Sequence, residues 1–282
     1  MRVICKLKII SSVIFLITFY KGWTMETSPA GGGWLELDGK LSFAIAEDDD
    51  SLDEDVSKGF TIEMWIYPRR VPKPDEEPQI IFSKVGSYQL YLIPRVQDPW
   101  GGKFGLQLAR KDWKVASIAG SIIPPIADNF FNNWHHLAVV YYTKAGRFIR
   151  VFIDGQQVIG TLVPLMFDEL LPQNTDSPLF IGGTDSFLAS HFDGNIDNLR
   201  ISGEAIYDND IQTEPPMGIL KIEKDTRALW YFEEGPSATS FKDSSGHDNT
   251  LIGHNGAKVV GVRFVKSLGK LPTAWGRIKG AY

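Results

Sequence analysis

The sequence predicts an all-β protein, a two-sheet antiparallel sandwich, and three observations carry that prediction. Apolar residues alternate with a two-residue period in one short segment after another. Turn signals separate these segments in a chain holding 27 Gly and 16 Pro among 282 residues. No long amphipathic helical period occurs anywhere, and about a dozen short strands without helices make a sandwich. At 43% hydrophobic and 12% aromatic residues, the chain can fill one full-sized core.

The clearest element is Asn133 to Val158, NWHHLAVVYYTKAGRFIRVFIDGQQV. Its halves alternate as two strands, TKAGR is a connection of hairpin length, and Asp154-Gly155 supplies the pair that a tight turn requires. A β-hairpin at the centre of the domain is expected.

Residues 1–30 are set apart as a secretory signal or an N-terminal anchor. Arg2, Lys6 and Lys8 precede the apolar run Ile9 to Tyr20, and a small, polar stretch follows, with cleavage expected near Ala30. An exported protein (secreted, periplasmic or at the cell surface) is the expectation. The single cysteine, Cys5, precedes the apolar run, so the exported part would carry no disulfide, thiol nucleophile or Cys-ligated zinc. Without residues 1–30 the chain has 25 basic against 33 acidic side chains, a formal charge of −8. That balance speaks against nucleic acid and anionic lipid as partners.

After the Gly31–Gly33 linker, WLELDGKLSFAI reads as a strand interrupted by the Asp38-Gly39 turn. Seven acids follow in nine residues: Glu47, Asp48, Asp49, Asp50, Asp53, Glu54 and Asp55. They form either a solvated loop or a calcium-binding rim, since calcium takes hard oxygen ligands. GFTIEMWIYP is a strong strand, with Phe60, Ile62, Met64 and Ile66 on one face and Trp65 and Tyr67 on the other. VPKPDEEP is a surface loop, IIFSKVG and SYQLYLIP are two strands turning at Gly86, and RVQDPWGG is a loop with a Trp at its tip. KFGLQLARKDWKVASI reads as a strand pair turning near Lys111-Asp112. Beyond the hairpin, TLVPLMFDELLPQN has room for one helical turn and SPLFIGG is a short strand. In FDGNIDNLRIS the positions Ile196, Leu199 and Ile201 break the two-residue period, which predicts a bulge. RALWYFEEG is a further strand, FKDSSGHDNTLIGHNGAKVVGVRF gives a loop and the last strands, and residues 265–282 read as a tail.

Four of these pieces, FTIEMWIYP, WHHLAVVYYTKAGRFIRVFIDGQQV, LFIGG and FDGNIDNLRIS, resemble in order and spacing the laminin G-like, concanavalin A-like jelly roll of bacterial secreted proteins. LELDGKLSFAI resembles that family's opening strand, LxFDGxxxYV. Together they cover about residues 34–203. The resemblance implies an all-β jelly-roll sandwich. LWYFEEGPSATSFKDSSGHDNTLIGHNGA also resembles the family, but its counterpart usually stands before the opening strand. The first and last strands of a jelly roll are neighbours, so either chain end can supply the element, and one domain over 34–264 is expected. The competing reading, a second repeat cut short, would leave an unpaired apolar edge.

The same fold carries polysaccharide-active enzymes, whose chemistry calls for particular groupings of side chains. Glycoside hydrolases need two carboxylates on one face, as an E-x-D-x-E strand supplies. The nearest approach is Asp193, Asn195, Asp197, which instead matches the family's FxGxIDxLRI strand. No lyase-like grouping of Arg, Gln, His and Tyr can be assembled from the sequence. His135 and His136 are neighbours on a strand and point to opposite faces, one packed inside and one at the surface, so they cannot share a metal. Nucleophile elbow, P-loop and dinucleotide fingerprint are all missing.

DSSGHDN brings Asp243, Asp248 and Asn249 into one flexible turn, a composition able to offer several oxygens to calcium. The resemblance adds Asp38, which in this family commonly lies near that loop, although His247 stands where Asn is expected. The alternative is an Asx-turn at Asp243 and a plain turn residue at Asp38. Loop aromatics are the ligand candidates: Trp100 first, then Trp113 and Tyr91, while Trp65, Trp134 and Trp230 lie in strands and read as core. The resulting expectation is a non-catalytic recognition domain for a glycan or an extracellular or cell-envelope protein, with Ca²⁺ as the one cofactor offered. The alternatives are a glycoside hydrolase or lyase of the same fold, and a structural cell-envelope protein.

Overall fold

The structure is a computed structural model that describes residues 27–53, 58–93, 103–109, 115–121, 129–142, 147–163, 174–185, 190–207 and 218–261. Its strands are β1 (Gly33–Asp38), β2 (Phe43–Ala46), β3 (Phe60–Pro68), β4 (Gln79–Lys84), β5 (Tyr88–Ile93), β6 (Lys103–Ala109), β7 (Val115–Ser121), β8 (His135–Tyr142), β9 (Arg147–Ile153) and β10 (Gln156–Val163). They continue as β11 (Leu179–Ile181), β12 (Ser190–His191), β13 (Asp193–Ser202), β14 (Thr226–Trp230), β15 (Ser240–Phe241), β16 (Leu251–His254) and β17 (Lys258–Gly261). Sheet A has the order β10-β9-β8-β3-β13-β1-β17, with β14 also on β13. Sheet B has the order β15-β16-β2-β11-β4-β5-β6-β7, with the short β12 parallel to β4. No helix among the described residues is long and apolar enough to cross a membrane.

The interior lies between the sheets and follows the predicted alternation. Phe60, Ile62, Met64 and Ile66 of β3 face inward beside Leu137, Val139 and Tyr141 of β8 and Ile149, Val151 and Ile153 of β9. Sheet B answers with Ala44, Phe82, Leu90, Leu92, Leu179 and Ile181. The predicted hairpin is thus β8–β9, and Asp154-Gly155 turns the chain into a third strand, β10, that the sequence did not reveal. Most of TLVPLMFDELLPQN lies outside the described residues; its first three residues end β10. The predicted bulge is present: the β13–β3 register shifts between Asp197 and Arg200, and Asn198 takes a φ of 51°.

The C-terminal strands return to the beginning of the chain. β17 pairs with β1 (Leu35 opposite Val259) and β16 with β2 (Ile45 opposite Ile252). Upstream of β1, Ser28 is buried and its hydroxyl donates to the Asp197 carboxylate, while Gly31 N–H donates to Ser28 O at 2.9 Å. The folded body therefore includes residues just before Ala30. Burial holds the Asp197 carboxyl well above the usual carboxylate range, although the Ser28 hydrogen bond opposes the shift.

The outer face of sheet A carries a second, polar interior, and here the expectation for the histidines needs correcting. Both are buried. His135 faces inward, its ring 4.8 Å from that of Phe130 and its Nδ1 2.6 Å from Asp154 Oδ2. His136 faces outward yet is also sealed, because the chain after β13 folds back over it as a roof. Beneath that roof Glu63 is fully buried, with Arg200 Nε at 2.9 Å and Nη2 at 2.5 Å, Tyr207 Oη at 2.6 Å and His136 Nε2 at 3.2 Å. Trp65 Nε1 donates to Gly218 O at 3.0 Å, Arg200 Nη1 to Lys221 O, and Leu220 N–H to Asn198 Oδ1. A carboxylate in this position is tolerable only because Arg200 donates to one of its oxygens and Tyr207 to the other.

Burial pushes the Glu63 carboxyl up, but the His136 hydrogen bond and the Arg200 charge outweigh it, and the group titrates below its ordinary value. Ionised Glu63 therefore stabilises the fold above the ordinary carboxylate range, and that contribution is lost as pH falls through its lower folded-state value. Glu63→Gln should cost about 3–5 kcal/mol at neutral pH. It should also flatten the loss of stability between about pH 5 and about pH 3, as measured by urea unfolding across that range.

Candidate functional site

Among the described residues, the roof over sheet A stops one row short of the strand ends. Beneath it lies the row Asp197, Trp65, His136, which is buried. The next row outward is Glu36 of β1, Asn195 of β13, Tyr67 of β3 and Trp134 at the entry to β8. Tyr67 and Trp134 are only half-buried, with ring centroids 5.5 Å apart, and Trp134 meets buried Trp34 edge-on at 5.8 Å. Two half-buried rings, tilted 58° to each other, therefore stand together on the sheet.

A fixed polar fork borders them. β3 ends at Pro68, and Arg69 N–H donates to Asp193 O at 2.9 Å, which directs the Arg69 side chain back across the row. Its Nη1 donates to Leu37 O at 2.7 Å, and its Nη2 donates to Asn195 Oδ1 at 2.8 Å and Glu36 Oε1 at 3.2 Å. Arg70 continues the network, with Nε 3.0 Å from Asp193 Oδ2 and Nη1 2.5 Å from Glu76 Oε2. The Lys73 N–H and the Arg70 guanidinium hold the Glu76 carboxyl down at about 2. A planar guanidinium held at several points keeps its neighbours in place more firmly than a flexible lysine could. Aromatic faces beside immobilised donors and acceptors suit a ligand that has both C–H faces and hydroxyl groups.

Trp134, expected in the core, is half-buried at the end of the sheet. The signal was present, since strict alternation sets Trp134 with His136 and Tyr67 with Trp65 on the outward faces of adjoining strands. Trp65 and Trp230 are buried as expected. Of the predicted ligand residues, Tyr91 lies on the outer face of sheet B opposite Ile80 and is 9% exposed. Trp100 and Trp113 lie outside the described residues. Asp193, Asn195 and Asp197 do not act together: the first two serve the arginine fork and the third bonds to Ser28.

The predicted metal residues divide into two places. Asp243 is buried, and its carboxylate accepts from Leu229 N–H at 2.9 Å, Ser245 N–H at 2.8 Å, Ser245 Oγ at 2.7 Å and Asn249 N–H at 3.1 Å. Asn249 Nδ2 donates to Ser51 Oγ and to Arg227 O, and Trp230 Nε1 donates to Asn249 O. Asp248 is exposed, at a φ of 62°. Asp38 closes its own turn, with Oδ1 accepting from the N–H groups of Lys40 and Ser42 and from Ser42 Oγ at 2.6 Å. The register of β2 and β16 sets that turn at the Phe43–His254 end and Asp243 and Asn249 at the Ala46–Leu251 end. Among the described residues no three His, Cys, Asp or Glu side chains gather in a metal-holding group.

Comparison with known proteins bears on the fold. A candidate carbohydrate-binding protein from Bacteroides ovatus superposes with a TM-score of 0.58 at 13% identity, over 82% of this chain and 60% of that one. The binding domain of botulinum neurotoxin serotype D gives 0.47 at 13% identity, over 64% and 42%. The binding domain of Paraclostridial Mosquitocidal Protein 1 gives 0.43 at 14%, over 60% and 39%. The chain thus spans about three fifths of the first of these and about two fifths of the others. A search of curated proteins gives no match. The laminin G-type family profile, described as the concanavalin A-like lectin/glucanases superfamily, matches residues 38–212. With that match over most of a two-sheet antiparallel sandwich, the chain belongs to the concanavalin A-like lectin/glucanase superfamily.

Proposed function

We propose that this domain is a non-catalytic recognition module whose ligand is a carbohydrate, held on the outer end of sheet A. The observation that supports this most is the set Glu36, Tyr67 and Trp134, half-buried around the buried Asn195 where, among the described residues, the next row is sealed. A pyranose ring stacks its C–H face on the Trp134 and Tyr67 rings, and its hydroxyls meet Glu36 and the Arg69 fork. Binding rather than turnover is favoured because the Glu, His, Arg and Tyr groups that do converge, around Glu63, are sealed and bonded to one another. Export rests on the apolar run after Arg2, Lys6 and Lys8, and fractionation of the producing cell tests it.

Trp134→Ala should weaken binding of an array-identified glycan at least tenfold, about 1.4 kcal/mol, while Trp134→Phe, which keeps a ring against Trp34, should retain most of the binding and the melting temperature. An empty glycan array would remove the reading. Turnover on a polysaccharide panel, abolished by Glu36→Gln, would replace it with an enzyme of the same fold.

A calcium ion at the 243–249 turn is a separate part of the proposal. It would use Asp248 and the lone pairs that Asp243 has left, and its removal should lower the melting temperature. Equal melting curves with and without a chelator dismiss it.

A further inference from the structure

The acidic run after β2 holds a cation that belongs to the chain. Lys84 sits at an inward register of β4, opposite Tyr88 and Leu179, two core residues. A lysine there is unexpected, because its charge must be led out of an apolar interior. Its side chain is fully buried, and its ammonium ends among four oxygens. These are Asp48 Oδ1 at 2.5 Å, Ser177 O at 2.8 Å, Thr175 O at 3.1 Å and Asp53 Oδ1 at 3.4 Å. Two carboxylates and two main-chain carbonyls from separate loops are the donor types that calcium sites use. Burial raises the Asp53 carboxyl above its ordinary value while the Lys84 charge draws it back.

We infer that the Lys84 ammonium takes the place of a resident divalent cation, pinning the acidic loop to the 174–178 segment in an oxygen cage that is closed to metal in this protein. The charges support the substitution. Two carboxylates face one ammonium, so removing the ammonium leaves two negative charges that a single divalent ion balances. Water can complete the coordination number, since four protein oxygens are fewer than the six to eight that calcium takes. With the lysine in place, an entering ion meets a covalently attached cation already bonded to the same oxygens.

The anchored loop also supports the neighbouring rim. Asp49 caps the short 3₁₀ turn Asp50–Leu52, Leu52 is buried in the core, Ser51 Oγ accepts from Asn249 Nδ2, and Asp53 O accepts from Arg227 Nη1. The internal cation therefore sets the position of the loop beside which the 243–249 turn rests.

The test is a terbium and calcium titration of the full chain, with melting curves in chelator and in calcium, on wild type, Lys84→Ala, Lys84→Met and Lys84→Ala/Asp48→Asn/Asp53→Asn. Lys84→Ala should melt lower than wild type in chelator, bind one terbium ion more than wild type, and regain most of the lost melting temperature in calcium. Lys84→Met, whose stem still fills the channel, should fold and bind no more terbium than wild type, and neither should the triple variant. A Lys84→Ala variant that binds no more ions than wild type, or that is no more stable in calcium than in chelator, overturns the proposal. So does terbium binding by wild type that Asp48→Asn/Asp53→Asn abolishes. Wild-type binding that survives those changes belongs to the 243–249 turn and leaves the cage closed, as proposed.

Discussion

The backbone ladder of β13 is the interaction on which the rest of sheet A depends. One edge of this strand pairs with β3 along nearly its whole length. The other edge is shared by two strands laid end to end, β1 along Asp193–Ile196 and β14 along Leu199–Ser202. Such sharing needs a break in register where one neighbour stops and the next begins. The bulge at Asp197-Asn198 provides it, with Asn198 in the left-handed region that Asn tolerates better than most residues. The two side chains released by the bulge are both used: Asp197 receives Ser28 from the N-terminal segment, and Asn198 receives Leu220 from the returning chain. One irregularity thus anchors both segments that cover the sheet.

Coverage of that face is what separates structure from candidate site. Burying Glu63 and Arg200 is costly unless both find complete sets of partners, and the roof supplies them through Tyr207 and Lys221 O. Where the roof ends, no such demand exists, and Tyr67 and Trp134 keep part of their ring surface in solvent. The same sheet therefore presents a locked polar interior and an accessible aromatic end within neighbouring rows.

Much of this architecture can be read from the sequence because it is local. β3, β8 and β9 alternate cleanly, the Gly86 and Asp154-Gly155 turns carry their own residue signatures, and the bulge shows as the irregular spacing of Ile196, Leu199 and Ile201. β10 escaped notice because QQVIGTLV begins polar and carries little alternation. The roof is hidden for a different reason: Glu63 and Arg200 are 137 residues apart, and no periodicity records a partner at that distance. Lys84 likewise looks like an ordinary strand lysine until the fold brings Thr175 and Ser177 to it. For the candidate site, alternation sets Tyr67 with Trp65 and Trp134 with His136, yet Trp134 reads as core until their strands are placed side by side.

The pairing of β17 with β1 and of β16 with β2 also fixes an order of events in time. β1 and β2 are among the earliest strands made, and each has one hydrogen-bonding edge that stays vacant until residues 251–261 exist. Contacts of such long sequence separation form late, after their loop-closure entropy has been met. The sandwich therefore closes only once synthesis of the domain is essentially complete, and until then its first strands are the ones most in need of protection from pairing with other chains.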